Sequence, residues 1–322
     1  MQSSLTLLAI MIIFLLLPFF LVSQVSIDMD SWFYGPEYTY RIRVNTTAED
    51  SMSNDGIPSR AYDISTTLKC RPRAPDTLNC RFSSVTMGFF EAGMADLGQE
   101  TLGDFEINED PFEIKFDRKG VSGIAVSGSL SPWTVDMIRA IVSQLSVGIE
   151  LDDASKFFIS DGAYAKEKSF LGVCNSFFHV SQQTLENDWR QSSFQILPIS
   201  GNKQLEINGK ELKIDKIRDL ENCQNRGNYF FGSKEGYGIL HSESMIKVKS
   251  SRAGIIVSDS SFTSFTSNEI SLMKKLKSIT LKEDITLDLI SISIANSDLP
   301  VIPNKVYTSI FVHDTLQKNS AN

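Results

Sequence analysis

The stretch PFEIKFDRKGVSGIAVSGSLSPWTVDMIRAIVSQL, residues 111–145, changes its apolar period half-way along. Phe112, Ile114 and Phe116 alternate with polar residues, as a half-buried strand requires, and Asp117 to Gly120 supplies a turn. Ser131 suits a helix N-cap and Pro132 the first helical position. Val135, Ile138, Ile141, Val142 and Leu145 then recur at helical spacing and form one broad apolar face. A single amphipathic helix among strands must bury that face against a sheet. The expected fold is therefore mainly β, a barrel or a sandwich, with the helix plugging the open end if it is a barrel.

Working outward, period-two alternation dominates. Tyr38, Tyr40, Ile42 and Val44 share one strand face, with Thr39, Arg41 and Arg43 on the other. Tyr62, Ile64, Thr66 and Leu68 repeat the pattern after a polar loop. Further strands are expected at residues 173–180, 194–197, 204–207, 211–214 and 228–231, with 244–249 and 253–257 as a pair. A long block follows at 279–294, where Ile285, Leu287 and Leu289 share a face. Residues 267–277 read as a weaker second helix or as a loop with a basic flank. The tail after Asn296 carries two prolines and reads as a linker.

The net charge of −8, from 39 acidic and 31 basic residues, argues against nucleic acid as a partner. Residues 5–22 carry no charge, and Ser23 and Ser26 follow as small residues, so residues 1–26 are expected to be a signal peptide. The rival is an uncleaved membrane anchor, which Pro18 disfavours. Residues 27–300 then form the folded domain and 301–322 the tail. Cys70, Cys80, Cys174 and Cys223 suggest two disulfides, with three connectivities open. Asn45-Thr46-Thr47 is a glycosylation sequon compatible with secretion.

Catalytic chemistry finds no foothold. His179, His241 and His313 belong to no metal-ligand motif, and no C-x-x-C pair exists. Residues 123–128 have the wrong spacing for a nucleophile elbow. Glu109-Asp110 and Asp152-Asp153 sit at element ends as solvated charge, and residues 232–238 match no phosphate loop. No catalytic residue, metal or cofactor is expected. One basic stretch remains at 212–220. As a strand it places Lys213 and Asp215 on one face and Ile214, Lys216 and Arg218 on the other. A solvated edge is the ordinary reading, a docking patch the sharper one.

Four segments together resemble the N-terminal domain of vitellogenins, the yolk lipid carriers. They are WFYGPEYTYRIRV (32–44), the strand–turn–helix of 111–145, LGVC (171–174) and KIRDLENC (216–223). Asp136 takes the place of the family's usual Asn, and Gln144-Leu145 reverses its closing pair. The resemblance implies a β-barrel wrapped around a central helix, with additional strands. It also implies a Cys174–Cys223 bridge, leaving Cys70–Cys80, for which a hairpin around Pro72 and Pro75 is suited. It further implies lipid as a partner, and contact of a basic segment before the second cysteine with a lipoprotein-receptor-type ectodomain, which singles out Lys213, Lys216 and Arg218. The family's lipid-enclosing segments do not follow in this sequence. The expectation is a secreted protein of lipid transport that acts as a receptor- or partner-binding module. The alternatives are a secreted recognition protein without lipid cargo, or a membrane-anchored ectodomain.

Overall fold

The alternating segments form fifteen strands, and the helical segment one α-helix, among the residues described in a computed structural model: 14–17, 20–23, 34–49, 60–74, 76–91, 109–150, 162–185, 195–198, 209–233, 245–274 and 277–312. The strands are β1 (Phe14–Leu17), β2 (Phe20–Ser23), β3 (Pro36–Glu49), β4 (Arg60–Ala74), β5 (Thr77–Glu91), β6 (Phe112–Asp117) and β7 (Gly120–Ser127). After helix α1 (Pro132–Val142) come β8 (Ala163–Ser169), β9 (Gly172–Thr184), β10 (Gln195–Pro198), β11 (Lys210–Gln224), β12 (Met245–Val257), β13 (Phe262–Lys274), β14 (Lys277–Ile294) and β15 (Lys305–Thr308). Twelve of them make one sheet in the order β15-β7-β6-β5-β4-β3-β14-β13-β12-β11-β9-β8, while β1, β2 and β10 form a separate small one.

The long strands keep one face apolar throughout. Tyr38, Tyr40, Ile42 and Val44 on β3 face the core beside Leu289, Leu287 and Ile285 on β14, all 8% exposed or less. Helix α1 lies against that inner face. Ser131 caps it by accepting from the Thr134 amide at 3.2 Å, and every residue from Thr134 to Val142 is buried. Each fully buried Val, Ile, Leu or Met here contributes about 1.5–3 kcal/mol relative to exposure. Gly120 lets the helix end dock: its φ is +142°, and a Cβ there would lie 2.1 Å from Ser146 Oγ.

The sheet is not closed into a barrel. Its ends are β15 and β8, and the approach of β8 to β7 is made by a side chain, Lys168 Nζ donating to the Ser122 carbonyl. The expected helix or loop at 267–277 is instead largely strand β13. Asn268, Ile270 and Leu272 turn inward between two long ladders, and that pairing overrides local propensity. The expected pair at 244–249 and 253–257 is the single strand β12, with a register shift between Val248 and Ser250. Residues 228–231 are not a strand; a 3-10 turn, Phe231–Ser233, ends that segment. The segment read as a tail contributes β15 to the sheet, and Ile310 and Val312 are buried. The strand expected at 204–207 lies outside the described residues.

Both disulfides join neighbouring strands. Cys70 and Cys80 lie opposite each other on the β4–β5 hairpin, and Cys174 on β9 is bridged to Cys223 near the end of β11. With sequence separations of 10 and 49, they restrict the unfolded chain by about 3 and about 4 kcal/mol in the chain-entropy account.

Ile138, 1% exposed on the inner side of α1, tests the helix as a core element. Ile138→Asp is expected to abolish secretion by placing an unpaired charge there, while Ile138→Val costs about 1 kcal/mol. Normal secretion of the Asp variant would place the helix outside the core.

Candidate functional site

Strand β11 alternates as the sequence suggested, but its charged inner side points into the protein. Lys216 is 3% and Arg218 5% exposed, whereas Lys213 stays at the surface and pairs with Asp215 at 3.0 Å. The three basic residues singled out for docking therefore do not share a surface. The reason is Glu167 on β8, itself 1% exposed. Its Oε1 accepts from Lys216 Nζ at 3.0 Å and from Arg218 Nη2 at 2.8 Å, and its Oε2 accepts from Arg218 Nε at 2.9 Å. Ser176 Oγ donates to the same carboxylate at 2.9 Å, so its acceptor capacity is used.

This cluster is one end of a polar row that crosses the inner face of the sheet. Thr46 on β3 stands opposite Glu283 on β14, Glu283 opposite Asn268 on β13, and Asn268 opposite Ser251 on β12. Arg218 Nη1 donates to Ser251 Oγ at 2.9 Å, and Arg218 stands opposite Ser176 on β9. Seven adjacent strands thus each place one buried polar side chain in the row, ending at Glu167. The end of the helical segment docks beside it. Lys216 Nζ donates to the Ser146 carbonyl at 2.8 Å, and Gln144 Oε1 accepts from Ser264 and Thr266 at 3.2 and 3.0 Å.

The two buried carboxylates end on opposite sides of their usual value. Burial pushes both upward. For Glu167 the Arg218 and Lys216 charges and their hydrogen bonds outweigh it, and the pKa is lowered from 4.5 to about 2. Among the described residues no cation pairs with Glu283. Desolvation dominates the donors that face it, namely Phe231 N at 2.8 Å, Asn268 Nδ2 at 3.5 Å and Thr46 Oγ1 at 3.4 Å, and Asp284 adds repulsion, so its pKa is raised from 4.5 to about 7. Lys216 is lowered, because desolvation of its ammonium outweighs a carboxylate that it shares with Arg218.

A second buried pair lies on the helix. Arg139, 1% exposed, donates to Asp136 Oδ1 at 2.7 Å, to Thr308 Oγ1 at 2.6 Å and to the Ser309 carbonyl at 3.1 Å. It ties α1 to β15 and the residue after it. Near by, Glu113 on β6 takes both Arg73 and Lys305 as partners. Two open clefts, of about 540 and about 550 Å³, are lined by residues of this edge, including Lys305 in one and Tyr307 in the other.

The remaining sequence candidates are dispersed. Asn45 is exposed on the outer face of β3, with Thr46 buried beneath it. His179 lies opposite Asp215 on the outer face, and Glu109-Asp110 precede β6 at the surface. His241, His313 and Asp152-Asp153 fall outside the described residues. Among the described residues no group of three His, Cys, Asp or Glu is placed to hold a metal. Sequence reasoning missed an outer cationic face on β3, β4 and β5 formed by Arg41, Arg43, Lys69 and Arg81. The signal was present as alternation in RIR (41–43) and in the basic residues next to Cys70 and Cys80.

An open antiparallel sheet rolled around one buried helix, with ion pairs in its interior, defines a mainly β domain. The chain belongs to the vitellogenin family: the family model described as Vitellogenin N-terminal domain matches residues 32–279. It is 25% identical over 275 residues to Vitellogenin-1 of Solenopsis invicta, an alignment covering 76% of this chain and 15% of that protein. A solved structure of lipovitellin, described for its lipid–protein interactions, matches with a TM-score of 0.54 at 10% identity, over 89% of this chain and 28% of that one. At that identity the likeness shows the fold alone.

The opposite shifts of Glu283 and Glu167 set opposite pH slopes. Glu283 keeps its proton longer folded than unfolded, so its contribution to stability is fully present below pH 4.5 and is lost as pH rises through about 7. Glu167 is the reverse: its contribution is present above 4.5 and is lost as pH falls toward about 2. Glu283→Gln is expected to flatten the slope between pH 4.5 and about 7 and raise the urea midpoint at pH 8. Glu167→Gln is expected to destabilise by about 3–5 kcal/mol at neutral pH, because two buried cations lose their carboxylate. An unaltered slope in the first variant would remove Glu283 from the account.

Proposed function

We propose that the chain is a secreted protein of the vitellogenin lipid-transport family that acts through its surface, as a receptor- or partner-binding module, rather than by enclosing lipid. The observation that carries this reading is the filling of the sheet's inner face. Helix α1, the ionic row and the aromatic residues Phe170, Tyr229 and Phe231 occupy it, with Tyr229 in edge contact with Phe170 at 6.5 Å and with Phe231 at 5.6 Å. Interiors packed with interdigitating side chains leave no space for acyl chains. Two clefts among the described residues both mix charged with apolar lining groups.

Secretion is supported by the uncharged leader segment and by two disulfides, which persist in oxidising compartments. The receptor segment expected at Lys213, Lys216 and Arg218 is not carried forward, since burial of two of the three removes them from any partner's reach. Docking by a lipoprotein-receptor-type ectodomain or another partner must use another face.

The test is expression of the full chain in a secretory eukaryotic host. The medium is expected to contain protein beginning after the 1–26 leader, and so without β1 and β2, and native mass spectrometry with organic extraction is expected to find no bulk lipid. Peptide N-glycosidase should shift the wild type but not Asn45→Gln, since Asn45 is exposed on the outer face. Recovery of many lipids per chain would overturn the surface reading. A cell-retained chain with an intact N-terminus would establish the anchored alternative.

A further inference from the structure

The outer face of β3, β4 and β5 concentrates positive charge on a chain whose net charge is −8. Arg41 and Arg43 are exposed two residues apart on β3 and therefore point the same way. Lys69 on β4 stands opposite Thr39, one step along from Arg41, and Arg81 on β5 stands directly opposite Lys69. The four form a continuous track across three neighbouring strands. Serines and threonines fill the positions between them: Ser65 faces Arg43, Thr67 faces Arg41, and Ser83 faces Thr67.

Like charges directly opposite in a ladder destabilise it, so the Lys69–Arg81 pair is a cost the fold carries without visible return. Two carboxylates offset the track in part. Glu37 lies 3.5 Å from Lys69, and Asp288 lies 3.5 Å from Arg41. Arg43 and Arg81 have no carboxylate within ion-pair distance among the described residues. Beyond Arg43 the row of Asp63, Asn45 and Asp284 closes the track. At its other end Arg71 is spent on the carbonyls of Ser297 and Asp298, and Arg73 on Glu113. The open part is thus bounded on both sides.

We propose that this face is the docking surface for an extended acidic polypeptide segment of a partner. The inference rests on the surface-acting reading above and names its site and the chemistry of its partner. An extended chain presents alternate side chains about 7 Å apart, the same repeat that separates Arg41 from Arg43 on β3. Carboxylates at alternate positions of such a segment meet the arginines in turn, and the next ones neutralise the opposed Lys69 and Arg81. Each contact is a charge-assisted hydrogen bond made at the rim of solvent. Such contacts speed encounter and confer selectivity, and they weaken with salt.

The test uses the full secreted chain and four immobilised probes: a peptide with glutamate at alternate positions, its glutamine counterpart, a heparin oligosaccharide, and phosphatidylserine vesicles. The glutamate peptide is expected to bind, with affinity falling as salt rises from about 0.05 to 0.3 M, and the glutamine peptide not to bind. Arg43→Glu with Arg81→Glu alters exposed side chains without internal partners, so folding is retained, and binding is expected to weaken at least about tenfold. Lys247→Glu with Lys249→Glu changes net charge equally on exposed positions of β12 and is expected to leave binding unchanged. The proposal fails if the β12 variant loses as much as the β3–β5 variant, since bulk charge then explains the binding. It fails equally if the R43E/R81E protein binds like wild type, or if heparin or vesicles bind and the glutamate peptide does not. None of these outcomes alters the lipid content of the secreted protein, so this test and the preceding one can fail separately.

Discussion

Glu167 is the charge on which the interior depends. Taking Lys216 and Arg218 out of water costs several kcal/mol each, and one carboxylate offsets both only because the geometry is close and its acceptor sites are filled. The positive charge left over is met by the Ser146 carbonyl, at the end of the helical segment, where backbone carbonyls carry partial negative charge. The arrangement links three parts of the chain that are remote in sequence: β8, β11 and the segment leaving α1. Breaking a buried ion group by removing one partner leaves bare charge, so these three parts are obliged to stay together.

An open sheet is tolerable under that constraint. Strands with free edges invite pairing with other chains, and closing the ladder is the usual way to remove the hazard. Here α1 does the joining instead. Its buried Arg139 reaches β15 at one end of the sheet, and the segment after it reaches β11 and β8 at the other. The helix therefore fills the interior and ties the sheet's ends to each other, which is why its polar residues are as buried as its apolar ones. A helix serving only as apolar filler would have no use for Asp136 and Arg139 inside.

The strands and the helix were legible because both depend on local period. Residues 111–145 show alternation, a turn, a cap and a helical repeat in order, and each feature appears in the structure at that place. The readings that failed were those decided by distant partners. Residues 267–274 carry a mixed local pattern, and only the ladders to β12 and β14 make them a strand. Lys216 and Arg218 look like surface residues in sequence, because nothing local reveals a carboxylate 49 and 51 residues away. Closure of a barrel is likewise a matter of which strands meet at the seam, and period-two alternation is silent on that. The outer cationic face was half legible: alternation put Arg41 and Arg43 on one face, but their proximity to Lys69 and Arg81 needed the register of β3, β4 and β5.

The distribution of charge ties the interior to the surface. Among the described residues four basic side chains, Arg71, Arg139, Lys216 and Arg218, are buried along with four acidic ones, Glu113, Asp136, Glu167 and Glu283. Glu283, held near neutrality by burial, removes one potential negative charge from the interior. Among the described residues the outer face of β3, β4 and β5 keeps a bounded positive track on a chain whose net charge is −8. A local cluster of one sign on a chain of the other makes the field uneven over the surface. The relatives this chain resembles are far longer, the chain spanning 15% of the matched Vitellogenin-1. Among the described residues the inner face of the sheet is packed, and the exposed charge lies on its outer face.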